Sequence, residues 1–196
     1  HKGFRGHLGA LLRKGELTTG GMKAVFSLLA AMIFSCGIIK GERSITTNIW
    51  QFSFWWAVNV LTVIMVINTI NLFDLRPGRA GKVFLLALIP LYLLADDRFG
   101  FQLCLPMIGI LLYYLPYDLR AKAMLGDAGA NSLGAFLGAL FADMYSTRAK
   151  LTVVFICLLL NLLSERFSFS AYIEKNPWLK KIDMWGRLEN NDNGKV

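Results

Sequence analysis

Between Arg43 and Asp74 no residue carries a charge, and that single run limits what the chain can fold into. An exposed loop would leave such an apolar stretch in water, and a strand is usually only about 3–10 residues long. A bilayer-crossing helix needs about 20 apolar residues, and Ser44 to Phe73 supplies more than that. Five shorter uncharged runs accompany it: Ala24 to Ile39, Val83 to Ala95, Phe99 to Tyr117, Ala128 to Ala142 and Leu151 to Ser164. Several are short for a span, although Lys82, Arg98 and Lys150 at their edges could snorkel and lengthen them. Composition agrees, with 55% hydrophobic and 17% charged residues, against about 25% charged in an ordinary soluble domain. The expected fold is all-α, a polytopic membrane helix bundle of about six transmembrane helices, with Trp50, Trp55 and Trp56 suited to a headgroup belt.

If the six runs alternate across the bilayer, the N-terminal segment, the loops after Phe73 and Tyr117, and the tail share one side. That side holds 16 Lys and Arg, against 5 on the other. The positive-inside rule then gives a multi-pass protein of the cell membrane with both termini in the cytoplasm. Residues 1–165 read as one membrane-embedded domain and 166–196 as a basic cytoplasmic tail. Its Trp178, Trp185 and lysines suit either an amphipathic segment on anionic lipid or a solvated tail. The formal net charge is +8, which suits anionic lipid or phosphate-bearing substrates; the apolar composition argues against nucleic acid. Cys36, Cys104 and Cys157 lie inside apolar runs without CxxC spacing and read as buried packing thiols.

The same topology sorts the acids. Asp74 and Asp127 fall at helix ends on the cytoplasmic side, beside Arg76, Arg79, Lys82, Arg120 and Lys122, while Asp96 and Asp97 fall on the other. Carboxylates amid basic side chains suit Mg²⁺ held together with phosphate oxygens; solvated loop charges would show the same spacing. Two local patterns bear on that choice. Asn68, Asn71 and Asp74 recur at three-residue intervals on one helix face, and amides within an apolar helix usually face a protein interior or a watery cavity. In Leu125-Gly126-Asp127-Ala128-Gly129-Ala130-Asn131-Ser132-Leu133-Gly134, close helix packing explains the glycines but not the carboxylate.

Together these segments resemble the polyprenyl-phosphate N-acetylhexosamine-1-phosphate transferase family, whose members carry Asn-x-x-Asn-x-x-Asp-Gly-x-Asp-Gly followed by Gly-Asp-x-Gly-Ser-x-x-Leu-Gly. Asn68, Asn71, Asp74 and Gly78 match the first pattern; Gly126, Asp127, Gly129, Leu133 and Gly134 match the second. The opening Lys2 to His7 and Gly15 to Gly20 also look like a cytoplasmic segment of some members. The resemblance implies transfer of a sugar 1-phosphate from a UDP-linked amino sugar to a polyprenyl phosphate, with release of UMP, in cell-envelope glycan synthesis. It further implies that Asp127 binds Mg²⁺ and that Asp74 shares the catalytic cleft, with Asn68 and Asn71 contacting substrate. Arg76 and Arg79 are added from the residues themselves as phosphate contacts, because guanidinium matches phosphate geometry.

Departures from the pattern are equally specific. Leu75 and Pro77 stand where the family has Gly and a second Asp, an upstream aspartate pair is expected before His1, and His1 and His7 are the only histidines. A missing N-terminal portion is therefore expected, and this chain alone should be inactive. A second copy of the chain, as a homo-oligomer, could pair Asn68 and Asn71. The rival expectation is a non-catalytic membrane scaffold or lipid-binding relative. A small solute carrier fits less well, since the polar residues gather at one face rather than at the bilayer midplane.

Overall fold

The structure is a computed structural model, and it describes residues 19–42, 48–94 and 100–187. Those residues form six long helices: α1 (Thr19–Glu42), α2 (Ile49–Phe73), α3 (Arg79–Leu94), α4 (Cys104–Leu119), α5 (Gly126–Met144) and α6 (Thr147–Arg166). Two short ones follow, α7 (Phe169–Lys175) and α8 (Pro177–Met184), and a single 3₁₀ turn, Gly100–Leu103, leads into α4. Among the described residues there is no strand, so the chain is an all-helical bundle. Each long helix overlaps one uncharged run. Of the six, α2 and α6 are long and apolar enough to cross a membrane, while α4 and the Val25–Ile38 stretch of α1 are apolar but shorter. Residues 1–18, with both histidines, and Asp96–Asp97 lie outside the described residues, while Thr19 and Gly20 open α1.

Local chemistry sets the helix ends. Asn48 precedes α2 and accepts from the Trp50 N–H at 3.1 Å, which starts the helix later than the uncharged run does. Asn176 accepts from the amides of Trp178 and Leu179 at the start of α8, where Pro177 takes the first helical position and has no amide to leave unpaired.

α2 is the axis of the bundle. Its Val63, Ile67 and Ile70 are buried, and the wider core gathers Phe84, Leu88, Leu111, Leu133 and Leu137 from α3, α4 and α5. α5 reaches α2 through glycine. A Cβ on Gly134 would stand 2.6 Å from the Ile67 Cα, and one on Gly138 would stand 2.9 Å from the Val63 Cα. Neither backbone can yield as a side chain could. Gly134→Ala and Gly138→Ala should therefore each cost about 1–3 kcal/mol of stability, read as a lower thermal midpoint in detergent. Gly109→Ala, with nothing within 4 Å of the added carbon, should not lower the midpoint and should raise it slightly, because alanine favours a helix interior over glycine.

Two expectations change at this level. Lys150 does not snorkel: it is 1% exposed and donates to Asn59 Oδ1 at 2.8 Å, joining α6 to α2 inside the bundle. A buried ammonium needs such a partner more than it needs reach. Cys104 and Cys157 are buried as expected, but Cys36 is exposed, because α1 turns that part of its surface away from α2.

Candidate active site

Two turns meet at one end of the bundle. The first joins α2 to α3 and contains Asp74 to Gly78; the second joins α4 to α5 and contains Arg120 to Leu125. Gly78 closes the first with φ +73°, a left-handed conformation that side chains resist, and a Cβ there would also strike Leu119. Gly126 opens α5 at φ +59°, so the glycine before Asp127 serves the turn from which that carboxylate projects.

Three carboxylates gather around these turns. Asp74 caps α2 at its C-terminal end, where the helix dipole disfavours an anion. Burial, then the carboxylates of Asp118 and Asp127, push its pKa up to about 6, with the Gly126 amide pulling the other way. Its Oδ1 is buried without a hydrogen-bond partner. Asp118, at the end of α4, is 0% exposed, and neither of its oxygens has a hydrogen bond of good geometry, although the Gly78 and Leu125 amides lie close. Asp127 stands exposed in the first turn of α5, where an anion is favoured.

The perturbed Asp74 gives a pH signature. Its folded pKa of about 6 lies above the ordinary 3.8, so the folded state holds the proton longer than the unfolded one. Stability should therefore fall as pH rises from about 4 to 6 and then level off. Asp74→Asn should flatten that slope and stabilise the fold near neutral pH by on the order of 1–2 kcal/mol, the full shift being discounted for partial exposure. Thermal midpoints of parent and variant across pH 4 to 8 check it; a variant less stable at pH 7.5 would contradict it.

Of the sequence-derived site residues, the structure brings Asp74 and Asp127 into electrostatic reach of each other. Asn71 is half-buried and Asn68 exposed on the same helix. Asp118 was not anticipated: following Pro116-Tyr117 it reads as a loop charge, and only the packing of α4 against the first turn buries it.

The arginines are engaged elsewhere. Arg79 is 4% exposed; its Nε and Nη2 donate to the two carboxylate oxygens of Asp183 at 2.7 and 2.9 Å, and Nη1 donates to Ser170 Oγ at 2.9 Å. Arg76 pairs with Glu174. Lys82 donates to the carbonyls of Asp183 and Trp185 at 2.6 and 2.8 Å, oxygens left open where α8 ends. Arg187 returns the contact, donating to the Pro77 carbonyl at 2.7 Å and to Asp183 at 3.1 Å. The tail, as far as Arg187, is thus not detached from the bundle. It folds back over the α2–α3 turn, and the guanidiniums expected to grip phosphate hold tail carboxylates instead.

Among the described residues no three His, Cys, Asp or Glu side chains stand close enough to hold a metal by themselves. Mg²⁺ asks for less, commonly one or two carboxylates with the remaining oxygens from phosphate and water. Exposed Asp127, with Asp74 within electrostatic reach, offers the one or two carboxylates that such a shared site needs.

An all-helical bundle with carboxylates converging at the helix ends on one face is the class of protein that fold and site define. Residues 17–145 match the model of Glycosyl transferase family 4, and the chain belongs to that family. It is 30% identical over 189 residues to the phospho-N-acetylmuramoyl-pentapeptide-transferase of Fervidobacterium nodosum, covering 92% of this chain and 60% of that protein. The protein of the same name from Limosilactobacillus reuteri is 27% identical over 148 residues, 69% of this chain and 45% of its own. The Petrotoga mobilis protein of that name is 29% identical over 182 residues, 85% and 54%. The chain therefore spans at most about three-fifths of the length of these relatives. No solved structure matches it.

Proposed function

We propose that this chain is the part of a membrane phosphosugar transferase that carries its metal and diphosphate mouth. The reaction is transfer of a sugar 1-phosphate from a UDP-linked N-acetylhexosamine to a polyprenyl phosphate, with release of UMP, at the cytoplasmic face of a multi-pass protein. The observation that carries this reading is the convergence of Asp74, Asp118 and Asp127 from three helix ends, with Asp74 Oδ1 buried and without a hydrogen-bond partner. Such an arrangement is costly unless a positive ligand completes it. Family membership supplies the reaction class.

Asp127, exposed in the first turn of α5, is the proposed metal ligand, and Asp74 sets the charge behind it. Asn71 and Asn68 extend the same helix face as donors and acceptors for substrate. Mg²⁺, when bound, would neutralise charge on the phosphate oxygens and so lower the barrier to attack by the lipid phosphate. An apolar cavity of about 450 Å³ supports a lipid acceptor. It lies between α2, α3, α5 and α6, from Ile70 and Val83 near the mouth to Pro90 and Tyr145 at the far end.

The test is UMP release from UDP-N-acetylglucosamine and from UDP-N-acetylmuramoyl-pentapeptide with undecaprenyl phosphate and Mg²⁺. It compares this chain with one extended to the length of its relatives. Turnover by the longer chain alone is expected. The rival reading, a non-catalytic lipid-binding relative, draws on Pro77 at the second aspartate position and on the tail's hold over Arg76 and Arg79; it predicts no turnover by either.

A further inference from the structure

The tail helices use one side and leave another bare. Asp183 of α8 and Arg187, just beyond its end, face the α2–α3 turn and hold it. A different stripe, Trp178, Ile182 and Trp185, recurs at the i, i+4, i+7 spacing of one helix face. Its members are 76%, 53% and 77% exposed, so nothing among the described residues covers them. Tyr172 and Lys175 of α7 are also exposed, as is Lys181 beside the stripe on α8.

The height of this stripe is fixed by what precedes and receives it. α6 is long and apolar enough to cross a bilayer and ends at Arg166, and α7 begins only three residues later. At its other end the tail is clamped to the turn after Phe73, where α2, the second such helix, ends. Phe169 meets Phe73 there, their ring centroids 6.1 Å apart. A segment tied to the ends of two spanning helices cannot leave the membrane surface. Tryptophan, with an apolar ring and a polar N–H, suits the headgroup layer, and flanking lysines suit anionic lipid.

We propose that α7 and α8 form an interfacial strap. The outer Trp178-Ile182-Trp185 stripe seats in the headgroup layer on the side of the carboxylate mouth, drawn there by anionic lipid. The inner Asp183-Arg187 face holds the α2–α3 turn, so lipid contact outside keeps the turn beside Asp74 in place. The partner is the bilayer surface rather than a soluble protein, because the stripe begins where the spanning helices stop.

The proposal is tested without any turnover, so it stands or falls apart from the transferase reading. The chain is placed in nanodiscs with and without anionic phosphatidylglycerol, using lipids brominated at graded depths. The emission of Trp178 and Trp185 is taken as the difference between the parent and a Trp178→Phe, Trp185→Phe variant. Strongest quenching is expected from bromine about 5–10 Å inside the interface, with more of it when anionic lipid is present and less in Lys175→Gln with Lys181→Gln. Amide exchange at residues 74–79 should speed up about tenfold in Trp178→Ser with Trp185→Ser, and to a similar degree in Asp183→Asn, which breaks the inner face instead. Tryptophans reached by aqueous iodide as freely in nanodiscs as in detergent would overturn the membrane contact. Quenched tryptophans with unchanged exchange at 74–79 in the serine variant would overturn the strap.

Discussion

Asp127→Asn in a chain extended to the relatives' length should lower Mg²⁺-dependent UMP release by about a thousandfold, the equivalent of the several kcal/mol a metal supplies to transition-state charge. The fold should barely respond. Asp127 is exposed at the start of α5, so replacing it with an isosteric amide opens no cavity, and a substitution at such a surface position costs about 1 kcal/mol or less. That separation of effects is what a ligand-binding role predicts, and Asp74 offers the contrast. Asp74 is partly buried, at the wrong end of a helix dipole and beside two other acids, so its amide variant should gain stability while losing activity. Steady-state turnover and thermal midpoints on the same two preparations make the comparison. Asp127→Asn with parental turnover would remove the metal assignment, and Asp127→Asn that fails to fold would make the residue structural.

The sequence reading went as far as local pattern can go. Uncharged runs located all six long helices, because a helix with core on one side and a bilayer on the others must be apolar along its length. The segment around Gly126 and Asp127 was legible for the same kind of reason: the positive φ of Gly126 and the backbone contact of Gly134 leave glycine as the residue that fits. Long-range pairs were not legible. Nothing near Lys150 reveals that Asn59, on another helix, will accept its proton. Asp118 looked like a loop charge because its burial depends on the α2–α3 turn lying against the end of α4. Arg76 and Arg79 looked like a phosphate grip because guanidinium matches phosphate, but it matches carboxylate as well, and Glu174 and Asp183, about a hundred residues away, are the partners they meet in the structure. The tail's double nature was half visible in its sequence. The Trp178-Ile182-Trp185 spacing marks one face, whereas the Asp183-Arg187 pair reads as an ordinary surface contact until Arg79 is placed between its oxygens and the bundle.

Arg79→Gln should therefore act first on the fold, costing about 3 kcal/mol, with any loss of phosphate binding a consequence of that. Removing the guanidinium takes away both bonds to Asp183 and the one to Ser170, leaving a carboxylate whose side chain is 10% exposed with Arg187 as its remaining ion-pair partner. Arg79→Lys should recover only part of the loss, since a single ammonium cannot bridge two carboxylate oxygens and a hydroxyl in one plane. The pH dependence carries the opposite sign to that of Asp74. Burial alone would raise the Asp183 pKa, but the hydrogen bonds and charge of Arg79, with Arg187 and Lys82, outweigh it and hold the carboxyl below the ordinary 3.8. Its stabilising contribution is therefore complete above about pH 4 and is lost only as acid protonates it below that value. Arg79→Gln should accordingly lower the thermal midpoint at pH 7 and narrow the gap from the parent as pH falls below 4. A double-mutant cycle with Asp183→Asn should show strong coupling, the second substitution costing little once the first is made. If Arg79→Gln instead kept the parental midpoint and weakened only the binding of UDP or pyrophosphate, the guanidinium would belong to the substrate, and the ion pair with the tail would have to open before the mouth could work.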